Sequence, residues 1–338
     1  MRYLLYVVMT ISLLSISVGG GYYFAINKIS ASASSINNMW SEASAPDVDE
    51  NAGPADRIIV NLASRIMTVY IDGHKAYVYP VGVGTVSTPS PTGTYHIISR
   101  EENPIWVDPH NDDNKIPSGP HNPLGYRWLG FSGAYGIHGT NVPSSIGGYV
   151  SNGCIRMREA DVEALYSVAY VGMIVEIVYD RFVTERADDG LVICYVYPDG
   201  YGWTPDVSEA ALKELAEYGL ADFIDNKELA HHIAAHDGKP WKVMKSYDVW
   251  IGERHTNVHA VEQNENIYIP AAALAEAFGT DLKWDSGSHE VYTEYGRTAA
   301  VLKKGTAYVK PNDLGQLFRA QGTVDDMDGM KIYRLSQL

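Results

Sequence analysis

Three apolar runs, Ile58-Ile59-Val60, Ile66 to Ile71 and Ala76 to Val83, are separated by the polar stretch Asn61 to Arg65 and the turn pair Asp72-Gly73. Runs of that length, rich in β-branched and aromatic residues and broken by turn formers, predict hairpin-connected strands. Short strands are expected again at Thr94 to Ser99 and Met173 to Tyr179. Between those two, Val162, Leu165, Tyr166 and Ala169 recur at helical spacing, which predicts a helix over Glu159 to Ala169. Residues 57–180 therefore read as a mostly β domain with one main helix. Within them, Asn103 to Pro123 carries Pro104, Pro109, Pro117 and Pro120 and reads as a long ordered loop of the kind that covers a cleft.

Beyond Asp180 the pattern changes. A strand over Leu191 to Tyr197 precedes a helix over Ser208 to Tyr218 closed by Gly219, and a second helix starts at Asp225, with Glu228 placed to complete a capping box. From Tyr247 onward short strands alternate with helices that start near Pro270 and Pro311, since proline suits a first helical turn. This divides the rest into a connecting α/β segment, 181–245, and a smaller α/β accessory region, 246–338. At the other end, Tyr3 to Ile26 carries no formal charge between Arg2 and Lys28, long enough to cross a bilayer. Residues 1–31 are thus expected to be a transmembrane signal-anchor, or a secretory signal if Ala31-Ser32-Ala33 is cut. Residues 32–56, rich in Ser, Ala, Asn, Asp and Pro, read as a flexible tether. The expected location is the cell membrane with the working part outside the cytoplasm, or the cell wall if the segment is removed.

Charge narrows the partners. The 338-residue chain carries a formal net charge of −15, the wrong sign for a protein that neutralises phosphates, so no nucleic-acid partner is expected. Cysteine count narrows the chemistry, because Cys154 and Cys194 are too few for a disulfide scaffold or an iron–sulfur cluster. Cys194 lies in an apolar run and reads as a buried thiol. Cys154 differs. It follows Ser151-Asn152-Gly153 and precedes Ile155-Arg156, with His138-Gly139 upstream. A thiol becomes a nucleophile at neutral pH when an imidazole takes its proton, so His138 and Cys154 form a candidate base and nucleophile. The glycine before the sulfur would let the N–H groups of Gly153 and Cys154 approach an oxyanion.

The stretch Arg57 to Asp180 resembles the catalytic domain of the L,D-transpeptidase family. The resemblance rests on Ser90-Pro91-Thr92-Gly93-Thr94, Asn122-Pro123-Leu124-Gly125 with Arg127-Trp128-Leu129, Ile137-His138-Gly139-Thr140-Asn141 and Ser151-x-Gly153-Cys154-Ile155-Arg156. It implies peptidoglycan stem peptides as substrate. Cys154 would attack the carbonyl between the third stem residue and its terminal D-alanine, with His138 as base and then acid. The Gly139 carbonyl would orient the imidazole, and the thioester would pass to a neighbouring stem's amine. No metal or organic cofactor is implied, and acylation of Cys154 by carbapenems is. Many members carry His where this chain has Asn152, so no catalytic role passes to that position.

Around this pair, Arg156 suits a substrate carboxylate or a structural salt bridge. Ser151 suits a contact near the nucleophile or the turn itself. Tyr126, Trp128 and Trp106 suit the substrate groove or the core. The tail from Ser246 resembles the small stalk domain first named from copper amine oxidases, on Ile267-Tyr268-Ile269-Pro270 with Ala271 to Phe278 and Leu282-Lys283-Trp284-Asp285. That resemblance implies a wall-polymer contact or a spacer, with no copper chemistry. His231, His232 and His236 with Glu228, and Asp108, His110, Asp112 and Asp113, are set aside as metal sites, since a solvated helix face and a polar loop account for them. Water in place of the amine would make the enzyme an L,D-carboxypeptidase, and an inert Cys154 would leave a non-catalytic wall-binding protein.

Overall fold

The computed structural model describes residues 56–108 and 111–337. The expected hairpins form: β1 (Arg57–Asn61), β2 (Ile66–Ile71) and β3 (His74–Pro80) pair antiparallel in order. Their period-2 alternation buries Ile58, Val60, Met67 and Val69 on one face. A two-residue strand, β4 (Val83–Gly84), follows. The expected single strand over 94–99 is instead two, β5 (Gly93–His96) and β6 (Ser99–Glu102), which belong to different sheets. The chain turns between them at Ile97, a buried side chain whose N–H and carbonyl both bond to residues 172–173.

The proline-rich stretch is also not a plain loop. It forms a hairpin of β7 (Trp106–Asp108) and β8 (Asn111–Ile116). Pro104, Pro117 and Pro120 fall outside the paired positions, where a missing N–H breaks no ladder bond. Next come β9 (Arg127–Ser132), β10 (Tyr135–His138), β11 (Tyr149–Ser151), β12 (Ile155–Arg156), helix α1 (Glu159–Val168) and β13 (Ile174–Val178). Two sheets result, β3-β2-β1-β13-β5 and β12-β10-β9-β6, and β11 pairs with β4. Side chains from both sheets and from α1 share one core that includes Val60, Leu129, Ile137, Ile155, Leu165 and Val175.

A nine-stranded sheet fills the rest. It is built from β14 (Phe182–Arg186), β15 (Leu191–Val196), β16 (Trp241–Ile251), β17 (Arg254–Gln263) and β18 (Asn266–Pro270), with helices α2 (Ser208–Glu217), α3 (Asn226–Ala235) and α4 (Ala271–Phe278). After a small sheet of β19 (Lys283–Asp285), β20 (Glu290–Tyr292) and β21 (Arg297–Ala299), it is completed by four later strands. These are β22 (Val301–Lys303), β23 (Thr306–Val309), β24 (Ala320–Met327) and β25 (Met330–Gln337), with α5 (Leu314–Phe318) packed against them. Strands of this ladder bury their side chains in two clusters, and the one that holds Phe182, Cys194 and Leu215 also takes Val261 and Tyr308 from beyond 245. At α3 the expected capping box is only half present. The Asp225 carboxylate accepts the Lys227 N–H at 2.6 Å, whereas Glu228 accepts the Trp241 indole N–H at 3.1 Å.

The described residues thus make a mostly β protein with few helices. The expected membrane-spanning segment and tether lie outside the described residues. Among the described residues no helix is long and apolar enough to cross a membrane.

Candidate active site

Register places the reactive side chains. Parallel pairing sets Ile137 opposite Ile155 and His138 opposite Arg156, while antiparallel pairing sets His138 opposite Trp128. Because strand side chains alternate, Leu129, Ile137 and Ile155 enter the core. Trp128, His138, Cys154 and Arg156 then emerge on the other face, where they line a cleft of about 370 Å³. Trp106, Val107, Asp108 and Asp112 of the β7–β8 hairpin form its lip, with Pro123, Leu124, Ala134, Ser151 and Asn152 completing the wall. A larger groove of about 530 Å³, between β2, β3 and β14, holds no cysteine or histidine.

The turn carrying the sulfur is braced by Ser151, whose Oγ donates to the Cys154 carbonyl at 2.6 Å and accepts the Gly153 N–H at 3.1 Å. Gly153 has φ +114°, and a Cβ there would overlap the Tyr135 ring, so only glycine fits. The Ser151 carbonyl accepts the Thr85 N–H at 2.9 Å and the Thr88 hydroxyl at 3.1 Å. Ser90, from the Ser-Pro-Thr-Gly-Thr stretch, is buried and accepts the Gly84 N–H at 2.9 Å. One expectation changes here. The Gly153 N–H is already bonded to Ser151, so it is not an open half of an oxyanion hole. The Cys154 sulfur itself lies 3.6 Å from the Ala134 carbonyl, to which it can donate.

Electrostatically, burial acts against charge on both members of the pair. Burial pushes the Cys154 thiol up, against the Gly136 N–H and the Arg156 guanidinium, which favour thiolate. Burial likewise lowers His138 to about 4, with the Gly139 hydrogen bond acting upward and Arg156 further downward. His138 Nδ1 lies 2.6 Å from the Gly139 carbonyl. A carbonyl only accepts, so Nδ1 carries the proton and Nε2 keeps its lone pair. Arg156 is half-buried, its Nε has no partner, and among the described residues it makes no ion pair. The salt-bridge reading of that side chain is thereby set aside.

The remaining sequence-selected residues separate. Trp128 stacks on the imidazole with ring centroids 5.7 Å apart, and its ring lies over Gly136 where a Cβ would collide. Asn152 is exposed at the rim. Tyr126 does not line the cleft; its N–H donates to the Glu159 carboxylate at 3.1 Å and its carbonyl accepts from Asn103 and Arg127. Glu159 was not singled out by the sequence, although an acidic residue opening a helix just after the cysteine motif was a usable signal. His232 stacks on Trp241 at 4.4 Å, and among the described residues no cluster is arranged to hold a metal. His110 lies outside the described residues.

Comparison with known proteins matches residues 55–177 to the L,D-transpeptidase catalytic domain model and residues 251–319 to the copper amine oxidase N-terminal domain model. The chain is 38% identical over 139 residues to a Bacillus subtilis protein named "Putative L,D-transpeptidase YqjB", covering 39% of this chain and 77% of that one. To "Probable L,D-transpeptidase ErfK/SrfK" of Escherichia coli it is 31% identical over 176 residues, 48% of this chain and about half, 53%, of the relative. A solved L,D-transpeptidase from Mycobacterium smegmatis aligns with 36% of this chain and 58% of its own at 19% identity and a TM-score of 0.32, a likeness that carries no argument.

Proposed function

The chain belongs to the L,D-transpeptidase family, and we propose that it cross-links peptidoglycan stem peptides through a Cys154 thioester. The observation that carries this reading is a single cleft holding a thiol, an imidazole fixed with Nε2 unprotonated, and an unpaired guanidinium. In the first half-reaction His138 Nε2 takes the Cys154 proton as the sulfur attacks the carbonyl between the third residue and the terminal D-alanine. The Cys154 N–H is the backbone donor next to the charge that develops beside the sulfur. Collapse of the tetrahedral intermediate breaks the amide bond, and the imidazolium returns its proton to the leaving amine of D-alanine. In the second half-reaction a side-chain amine of another stem loses a proton to Nε2 and attacks the thioester. The new amide forms, the thiol is restored, and two third-position residues are joined. Arg156 pairs with a substrate carboxylate at the cleft floor.

This substrate lies outside the cytoplasm, which agrees with an apolar Tyr3 to Ile26 acting as anchor or export signal. In the same reading, residues 251–319 contact wall polymer or space the catalytic domain from it. Mass spectrometry of muropeptides tests the proposal, using tetrapeptide-bearing disaccharides with the wild-type chain and Cys154→Ala. A dimer lighter than two substrates by one D-alanine, absent with the variant, is expected. Tripeptide monomer alone would reassign the enzyme as an L,D-carboxypeptidase. No Cys154-dependent product on several stem types would leave a binding scaffold. A carbapenem adduct on Cys154, read by intact mass, is expected alongside.

A further inference from the structure

Glu159 opens α1, and its carboxylate accepts two backbone N–H groups, Thr140 at 2.7 Å and Tyr126 at 3.1 Å. It has room because residues 125 and 139 are glycines. A Cβ at either position would overlap the carboxylate. Thr140 N–H and Gly139 C=O are the two ends of one planar peptide unit. The carbonyl end of that unit holds His138 Nδ1–H at 2.6 Å. Carboxylate, peptide and imidazole therefore form one hydrogen-bonded chain. A negative charge at the N–H end polarises the amide and strengthens its carbonyl as an acceptor, as linked hydrogen bonds do.

We propose that Glu159 is a positioning residue for the His138–Cys154 pair and that it acts through the Gly139–Thr140 peptide. It holds the tautomer with Nδ1 protonated and stabilises the imidazolium formed when the S–H bond breaks, the proton moves to Nε2 and the sulfur keeps the electron pair. The arrangement is a Cys-His-carboxylate relay with a peptide group inserted between histidine and acid. It offsets Arg156, which faces the same imidazole from β12 and disfavours its charge. Among the described residues, the other ionisable groups lining that cleft are Cys154 and, from the β7–β8 hairpin, Asp108 and Asp112.

The inference rests on the transpeptidase reading only for what the pair is used for. The proton transfer can be followed without any wall substrate. Alkylation of Cys154 by iodoacetamide would be measured against pH on the full chain, in wild type, Glu159→Gln and Glu159→Asp, by intact mass. Thermal melts, the His138 Nδ1–H proton resonance and steady-state D-alanine release would accompany it. Glu159→Gln keeps the shape and removes the charge. Its thiol is expected to react about tenfold more slowly at neutral pH, with the reactive limb about one pH unit higher. Its Nδ1–H resonance should move upfield, and kcat should fall with KM little changed. Glu159→Asp should recover most of the reactivity. A Gln variant with the wild-type profile and resonance would overturn the proposal, as would equal losses in both variants that track a drop in melting temperature. If the profile shifts as expected while the wild type releases no D-alanine from any stem, this inference stands and the substrate reading fails.

Discussion

The molecule holds two thiols in two β regions, and comparing them separates burial from reactivity. Cys194 lies mid-strand in β15, where alternation turns Val192, Cys194 and Val196 into the core and leaves the sulfur 0% exposed. Burial, with Glu214 adding to it, pushes that thiol up to about 12. Cys154 is also raised by burial, but it sits where a turn enters β12, and a backbone N–H and a guanidinium act on its sulfur in the opposite direction. Burial raises both thiols, but Cys194 is fully buried whereas Cys154 is partly exposed to the cleft. What distinguishes the catalytic candidate is a set of donors and a base that strand register brings to one face.

The largest expected effect breaks the comparison outright. Cys154→Ala should lower D-alanine release at least about 10³-fold, since loss of a nucleophile removes the covalent route. Cys194→Ala should stay within about twofold of wild type, because its sulfur touches no reacting group. Iodoacetamide on the native chain should label Cys154 alone, with Cys194 labelled only after denaturation. Equal labelling of both in the native state would end the contrast.

Much of this contrast was legible in the sequence, because it depends on local pattern. The apolar runs Ile58 to Val60 and Leu191 to Tyr197 gave the strands and the buried Cys194, and the Ser-x-Gly-Cys turn gave Cys154. Features assembled from distant segments were not legible. Glu159 needs the missing Cβ atoms of Gly125 and Gly139, which no spacing rule connects to it. The β7–β8 hairpin read as a loop because its polar run Asn111 to Asn114 lacks the apolar alternation of a half-buried strand; those residues are exposed on both faces. The Gly153 N–H read as available because neither role open to Ser151, a contact near the nucleophile or the turn itself, names the N–H its hydroxyl takes.

Acid stability sharpens the comparison at the level of the two regions. His138 is lowered in the folded protein to about 4 from 6.5, so as pH falls the unfolded chain takes up this proton first. The neutral, buried imidazole costs nothing above pH 6.5 and destabilises the native state progressively between 6.5 and 4. At pH 5 the loss is about 2 kcal/mol, set by the roughly one and a half pH units already crossed below 6.5. Asp248, in the nine-stranded sheet, has the opposite sign. Burial raises its carboxyl, but the two Arg186 bonds, with the His259 ring 3.2 Å away acting the same way, outweigh that and hold it below 3.8. Its contribution is therefore present above pH 3.8 and lost only below it. Urea midpoints at pH 7 and pH 5 should fall for wild type and much less for His138→Gln, while Asp248→Asn should leave that difference unchanged. A His138→Gln chain with the wild-type difference would show that another group carries it.

The smallest effect concerns where the catalytic region ends. Tyr201 lies outside both matched stretches, 55–177 and 251–319, yet it belongs to the same core as Ile137 and Ile155. Its hydroxyl donates to the Gly84 carbonyl at 2.8 Å, and Gly84 pairs with Ser151, the residue that braces the cysteine turn. The ring packs on Tyr149 and Tyr179 at 4.9 and 5.3 Å, and the Tyr179 hydroxyl is fixed by Asp199 at 2.6 Å. Tyr201→Phe keeps the packing and removes one buried donor, so it should cost about 1–2 kcal/mol. That is a drop of a few degrees in melting temperature. Because the lost bond is two steps from the sulfur, D-alanine release should fall by less than about threefold. An unchanged melting temperature would mean that the 197–205 segment merely rests on the catalytic fold; a loss as large as that of Cys154→Ala would make it part of the site.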